Sequence, residues 1–148
     1  MNTLSSTVGE WRGTCSFRLM PTDELAPGPS TATASTEADG WAWRLSYTWT
    51  HPEDGPQVGV LLVGTPDEQD AVGAAWADSW HQEPQLGLLT GTAGDAGVHL
   101  AMTYAGDWGW TIDVAPDGDG LRMTMHNVVP EGTEEFEGDY VVMDASWH

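Results

Sequence analysis

The residues of this chain that could do chemistry are aromatic before they are ionisable. Nine tryptophans stand at positions 11, 41, 43, 49, 76, 80, 108, 110 and 147 of 148 residues. An indole supplies a large apolar area, a π-face and one N–H donor, so a cluster of them either fills a core or walls a cavity for a ring or a cation. The sharpest local arrangement is Trp76-Ala77-Asp78-Ser79-Trp80. On a strand, positions 76, 78 and 80 share a face, which sets Asp78 between two indoles. A carboxyl group held among apolar rings is a candidate general acid, or a hydrogen-bond donor to a ligand. His51 ends an aromatic row and Asn127 follows Met123 and Met125, which makes both further polar candidates on inner faces. Ser79 and His81 also share a face, but two residues along a strand is about 7 Å, too far for a direct proton relay.

Other constellations are missing. Cys15 is the only cysteine, so no intrachain disulfide forms, and no nucleophile signature surrounds it. The chain has no lysine, hence no Schiff base, and it has neither a phosphate-binding glycine motif nor zinc-ligand spacing. Asp117-Gly118-Asp119-Gly120 lacks the third acidic position and the terminal glutamate of a calcium loop, and reads as a hairpin turn. No cofactor and no metal are expected.

The elements that must position these residues are strands. Period-2 alternation recurs along the whole chain and helical periodicity is nearly absent. In Trp41–His51 the odd positions are Trp41, Trp43, Leu45, Tyr47, Trp49 and His51, and the even ones are small or polar. The same alternation places Trp11, Cys15 and Phe17 on one face, then Val98, Leu100, Met102 and Tyr104, then Trp108, Trp110, Ile112 and Val114, then Leu121, Met123 and Met125. Residues 57–65, 71–80, 85–92 and 140–147 read as strands with less clean faces, and 30–37 as a weaker one. The stretch 21–29, with three prolines, reads as a loop. Thr22–Leu25 and Asp67–Asp70 are the places for a helical turn. Gly, Asp and Pro clusters at 39–40, 54–56, 94–95, 105–107, 117–120 and 131–132 separate the strands at spacings that close hairpins. About ten strands with short connections predict an all-β fold, an antiparallel up-and-down β-barrel in a single domain over 1–148. A two-sheet sandwich is the competing architecture.

Charge narrows the partners. Against 23 Asp and Glu stand only Arg12, Arg18, Arg44 and Arg122, for a net charge of -19. Such a field repels phosphate backbones and anionic lipid heads, so neither nucleic acid nor a membrane surface is an expected partner. The amino terminus lacks the basic and apolar regions of a signal peptide, and no apolar run reaches membrane-spanning length. A cytoplasmic protein is expected.

The layout resembles the calycins, the group of lipocalin, fatty-acid-binding and nitrobindin-like barrels. The resemblance rests on Gly9-Glu10-Trp11-Arg12-Gly13, similar to the Gly-x-Trp-x-Gly opening of the first strand, and on the mid-chain Trp76-Ala77-Asp78-Ser79 found in small bacterial calycin-like domains. The lipocalin comparison implies a small apolar ligand. The nitrobindin comparison implies haem on a late-strand histidine, for which only His126 and His148 are available, and His126 alternates away from the inner face. The leading expectation is therefore a small-molecule ligand, largely apolar, aromatic or cationic, held by Trp41, Trp43, Tyr47, Trp49, His51, Trp76, Trp80, Met102, Tyr104, Trp108, Trp110, Met123, Met125 and Asn127. The alternatives are an isomerase- or cyclase-type enzyme with Asp78 as acid, and a filled barrel serving as an interaction module. The sequence leaves the oligomeric state open.

Overall fold

Alternation resolves into ten antiparallel strands: β1 (Gly9–Phe17), β2 (Ala26–Glu37), β3 (Ala42–His51), β4 (Gly55–Gly64), β5 (Ala71–Asp78), β6 (Gln82–Gly94), β7 (Gly97–Ala105), β8 (Trp108–Asp117), β9 (Gly120–Val129) and β10 (Gly138–Trp147). The computed structural model describes residues 3–133 and 138–148, with side chains from residue 4 onward except at 82–84. Each strand pairs with its neighbours in sequence and β1 pairs with β10, so the sheet closes into an up-and-down barrel rather than a sandwich. Closure removes the free edges that an open ten-stranded meander would present.

The inward rows follow the alternation. Trp43, Leu45, Tyr47 and Trp49 of β3 are buried, as are Trp110, Ile112 and Val114 of β8 and Leu121, Met123 and Met125 of β9. Trp43, Tyr47, Trp49, Trp76 and Trp147 are all but fully buried and occupy most of the barrel's length. Each such ring contributes about 2–3 kcal/mol by leaving water. One end of the barrel is stoppered by a 3-10 turn at Thr3–Thr7. Its Leu4 is fully buried. The Thr7 hydroxyl accepts the Trp43 indole N–H (3.2 Å), and the Thr7 carbonyl accepts that of Trp11 (2.8 Å).

Several expectations need correction. Trp41 is not on the inner face. It follows a 3-10 turn at Ala38–Gly40 that holds Ala38 and Asp39 at positive φ, and its ring is 70% exposed. The helical turns thus sit at Thr3–Thr7 and Ala38–Gly40, not at 22–25 or 67–70. The loop read at 21–29 ends early, because β2 begins at Ala26. Pro27 and Pro29 are tolerated there because that part of β2 pairs only with β1; pairing with β3 starts at Ala32. The turn at 117–120 is a hairpin, with Asp117 opposite Gly120.

The β6–β7 seam is one of the three shortest ladders in the barrel wall, with β1–β10 and β4–β5. β6 meets β7 only from Thr90 opposite Ala101 to Gly94 opposite Gly97. Residues 102–105 of β7 pair with β8 alone, and residues 87–89 of β6 pair with β5 alone. Met102 leans across this gap, and its side chain lies against Gly87, where a Cβ would sit 3.2 Å from the sulfur.

Candidate functional site

The end opposite the 3-10 stopper holds a cavity of about 200 Å³. Trp76 of β5 and Trp110 of β8 stack in its wall, 5.5 Å between ring centroids and 12° from parallel. Trp80 and His81 enter from the β5–β6 connection, Met102 and Tyr104 from the end of β7, and Leu19 from the loop after β1. Asn127, Tyr140 and Val142 complete the lining from β9 and β10.

A polar chain runs along one side. The Tyr104 hydroxyl donates to Asn127 Oδ1 (2.6 Å), Asn127 Nδ2 donates to the Tyr140 hydroxyl (3.2 Å), and that hydroxyl donates to the Leu19 carbonyl (2.9 Å). On the aromatic side, the Trp110 indole nitrogen is buried and has no hydrogen-bond partner among the described residues. A buried donor left unmatched costs about 1–3 kcal/mol.

Asp78 lies beneath this wall and is not part of the lining. Its Oδ2 accepts the Tyr47 hydroxyl (2.6 Å) and the Trp49 indole N–H (3.0 Å), and its Oδ1 accepts the backbone N–H groups of Trp80 (2.9 Å) and His81 (3.1 Å). Tyr47 in turn accepts the Trp76 indole N–H (2.9 Å). Burial, and then the neighbouring Asp78 carboxylate, push the Tyr47 phenol well above its ordinary range and so keep it a donor. Both Asp78 oxygens are engaged by the barrel's own donors, so the geometry makes it the residue that ties β3 to β5 and fixes the turn carrying Trp80 and His81. The sequence set Asp78 between the indoles of Trp76 and Trp80; its oxygens instead meet Tyr47, the Trp49 indole and the backbone of Trp80 and His81, and the acid role finds no free oxygen facing the cavity.

Strand alternation set His81 on the face of Ser79, opposite Asp78; it lies instead in the turn between β5 and β6. The two N–H bonds to Asp78 fold that turn so that the imidazole lies against Trp49 (5.2 Å, stacked), Trp80 (4.9 Å) and Trp110 (5.1 Å). Its Nε2 approaches Met143 Sδ at 2.8 Å. Burial lowers its pKa to about 4, with His51 adding to the effect and Asp78 opposing it. Because the folded value lies below the ordinary 6.5, the unfolded chain binds more protons between these two values. Stability is therefore lost as pH falls from about 6.5 towards 4, by about 3 kcal/mol in total, and the loss is absent above that window. Urea unfolding of wild type and of His81→Phe should show a free-energy gap that changes by about this amount between neutral pH and pH 4. A gap independent of pH would refute the caged, neutral imidazole.

Among the other residues singled out in the sequence, Trp76, Trp80, Met102, Tyr104, Trp110 and Asn127 are brought together at the cavity. Trp43, Tyr47, Trp49, Met123 and Met125 belong to the filled interior below it. His51 is buried against Phe17 and Trp80, its Nδ1 accepting the N–H groups of Glu53 and Asp54. Trp108 is half-buried beside a bulge between Thr103 and Ala105 and does not line the cavity. Ser79 is committed to the wall, donating to Gln57 and accepting from Val58 N. Burial drives the Cys15 thiol up to about 12, with Asp78 and Asp144 adding to it, which removes it as a nucleophile at neutral pH. Haem does not fit: the cavity is far smaller than a porphyrin needs, His126 alternates outward from β9, and His148 bonds to Ser146 beyond the end of β10.

No protein-family model matches this chain, and no curated protein matches it either.

Proposed function

We propose that the barrel mouth binds one small, largely apolar molecule: a single aromatic ring carrying a hydrogen-bond acceptor. The observation that carries this reading is the unpartnered Trp110 indole N–H in the wall of an aromatic cavity. Size supports it, since about 200 Å³ is below the roughly 300 Å³ at which pockets for drug-sized ligands begin. Trp76, Trp80 and Trp110 offer ring faces, and the Tyr104–Asn127–Tyr140 chain offers a second polar edge. Neutral His81 adds no charge, so an uncharged ligand suits the site better than an anion. Acid catalysis on the same cavity has less support, because the carboxylate it would use is enclosed by four donors.

The test is a titration with benzamide and with toluene, followed in the indole region of ¹H–¹⁵N NMR spectra. Benzamide should shift the Trp110 indole resonance downfield, as a new hydrogen bond requires, and should bind more tightly than toluene. Trp110→Phe should cut benzamide affinity roughly three- to tenfold, the worth of one neutral hydrogen bond, and leave toluene unaffected. Equal affinity for the two probes, with the Trp110 signal unmoved, would overturn the reading.

A further inference from the structure

The hydrogen-bond chain on the polar side of the cavity runs in one direction only. The Leu19 carbonyl can only accept, so the Tyr140 hydroxyl that meets it at 2.9 Å spends its proton there. The Tyr140 oxygen must then accept from Asn127, which turns the Nδ2 side of that amide to Tyr140 (3.2 Å) and Oδ1 to Tyr104 (2.6 Å). Tyr104 therefore gives its one hydroxyl proton to Asn127. What its oxygen offers the cavity is a lone pair, and no donor among the described residues reaches it. Burial raises the Tyr104 pKa, with Tyr140 adding to the effect and the Asn127 bond opposing it, so the phenol is neutral at neutral pH. The other unmatched group of the cavity has the opposite sense, since the Trp110 indole N–H can only donate. Trp110 and Asn127 are direct partners in the β8–β9 ladder and both are buried, so the unmatched donor stands beside the residue that sets the sense of the unmatched acceptor.

We infer, resting on the ligand site proposed above, that the cavity selects a small aromatic carboxamide or lactam, whose carbonyl accepts from Trp110 and whose N–H donates to Tyr104. Other ring substituents match the pair less well. A ketone or an ester supplies the acceptor alone and leaves the Tyr104 oxygen facing a carbon. A carboxylate brings only acceptors and sets its charge against that lone pair, and none of the lining side chains among the described residues is a cation at neutral pH. A hydrocarbon satisfies neither group. Tyr104 is thus a specificity-determining residue, and Tyr140 is a positioning residue that acts through it. By holding Asn127 in one orientation, Tyr140 fixes which way the Tyr104 proton points.

The experiment titrates the full chain with benzamide, acetophenone and toluene, followed by ¹H–¹⁵N NMR. Acetophenone has the shape of benzamide, with a methyl group in place of NH₂. Benzamide should bind about threefold more tightly than acetophenone, the lower end for one net hydrogen bond, because Tyr104 is 49% exposed and water competes for its oxygen. Tyr104→Phe should abolish that preference by weakening benzamide, and should leave acetophenone unaffected. Tyr140→Phe keeps the Tyr104 oxygen but frees Asn127 to turn over, which lets Tyr104 point its proton into the cavity and should erode the same preference. The ratio of the two affinities is read within each variant, so a general loosening of the barrel, which weakens both probes alike, does not imitate the effect. Benzamide and acetophenone binding equally, both more tightly than toluene, would overturn the carboxamide assignment and leave the Trp110 reading standing. Benzamide binding no more tightly than toluene would overturn both. A preference for benzamide retained in full in either variant would overturn the assignment as well.

Discussion

Asp78→Asn is expected to destabilise the barrel by about 3–5 kcal/mol, a large share of the stability of a domain this size. The carboxylate accepts from Tyr47, Trp49 and the backbone of Trp80 and His81, and every one of these partners is a donor. Asparagine keeps one acceptor oxygen and turns an NH₂ group towards two of those donors, so two buried groups lose their partners and face like dipoles. The measurement is urea unfolding followed by tryptophan fluorescence. Asp54→Asn is the comparison, since Asp54 meets the Trp80 indole N–H at 2.8 Å from an exposed position and should change stability little. Tyr47→Phe combined with Asp78→Asn should cost less than the sum of the two single changes, because both cut the same 2.6 Å bond. The result also separates two roles for Asp78. A general acid would tolerate the amide in the fold and lose only turnover, whereas a buried hub loses the fold; stability within about 1 kcal/mol of wild type would rule out the hub.

How far the fold was legible depends on where period 2 holds. In β3, in β8 from Trp110 to Val114 and in β9 from Leu121 onward the alternation is unbroken, and the buried rows stand where the sequence put them. It fails where the backbone changes register. Trp41 continues the β3 row on paper, but positive φ at Ala38 and Asp39 turns the chain before Ala42, and the indole leaves the barrel. In β10 a bulge between Val141 and Met143 brings Tyr140 and Val142 to the inner side along with Met143, so no single parity describes the strand. Two lining residues were hidden in that way. His81 was misplaced differently: read as strand it shares the face of Ser79, but β5 ends at Asp78, and capture of the His81 N–H by that carboxylate tips the ring inward. The tryptophans themselves divide between core and cavity by depth along the barrel, and depth is set by the shear of the closed sheet, which alternation within one strand does not encode.

Gly91→Ala is expected to open the barrel at the short β6–β7 seam. Gly91 lies opposite Leu100 in the short β6–β7 ladder, and a Cβ built there runs into the backbone carbonyl of His99. Unlike the Met102 sulfur beside Gly87, that obstacle cannot swing aside, because it is the main chain of the neighbouring strand. The methyl group must therefore push β6 and β7 apart where they share only the pairs from Thr90–Ala101 to Gly94–Gly97. With so few rungs, strain at one of them falls on the whole contact, and the loss should reach about 3 kcal/mol, the upper end for an inserted methyl group. Hydrogen exchange locates the damage. Amides of 90–94 and 97–101 should lose protection well before those of the long β3–β4 ladder, which runs unbroken from Ala42–Gly64 to His51–Gly55. Uniform loss of protection around the barrel would mean that the seam is no weaker than the other strand pairs. Loss confined to it would mark β6–β7 as the place where the closed sheet first parts, next to Met102 and the wall of the cavity.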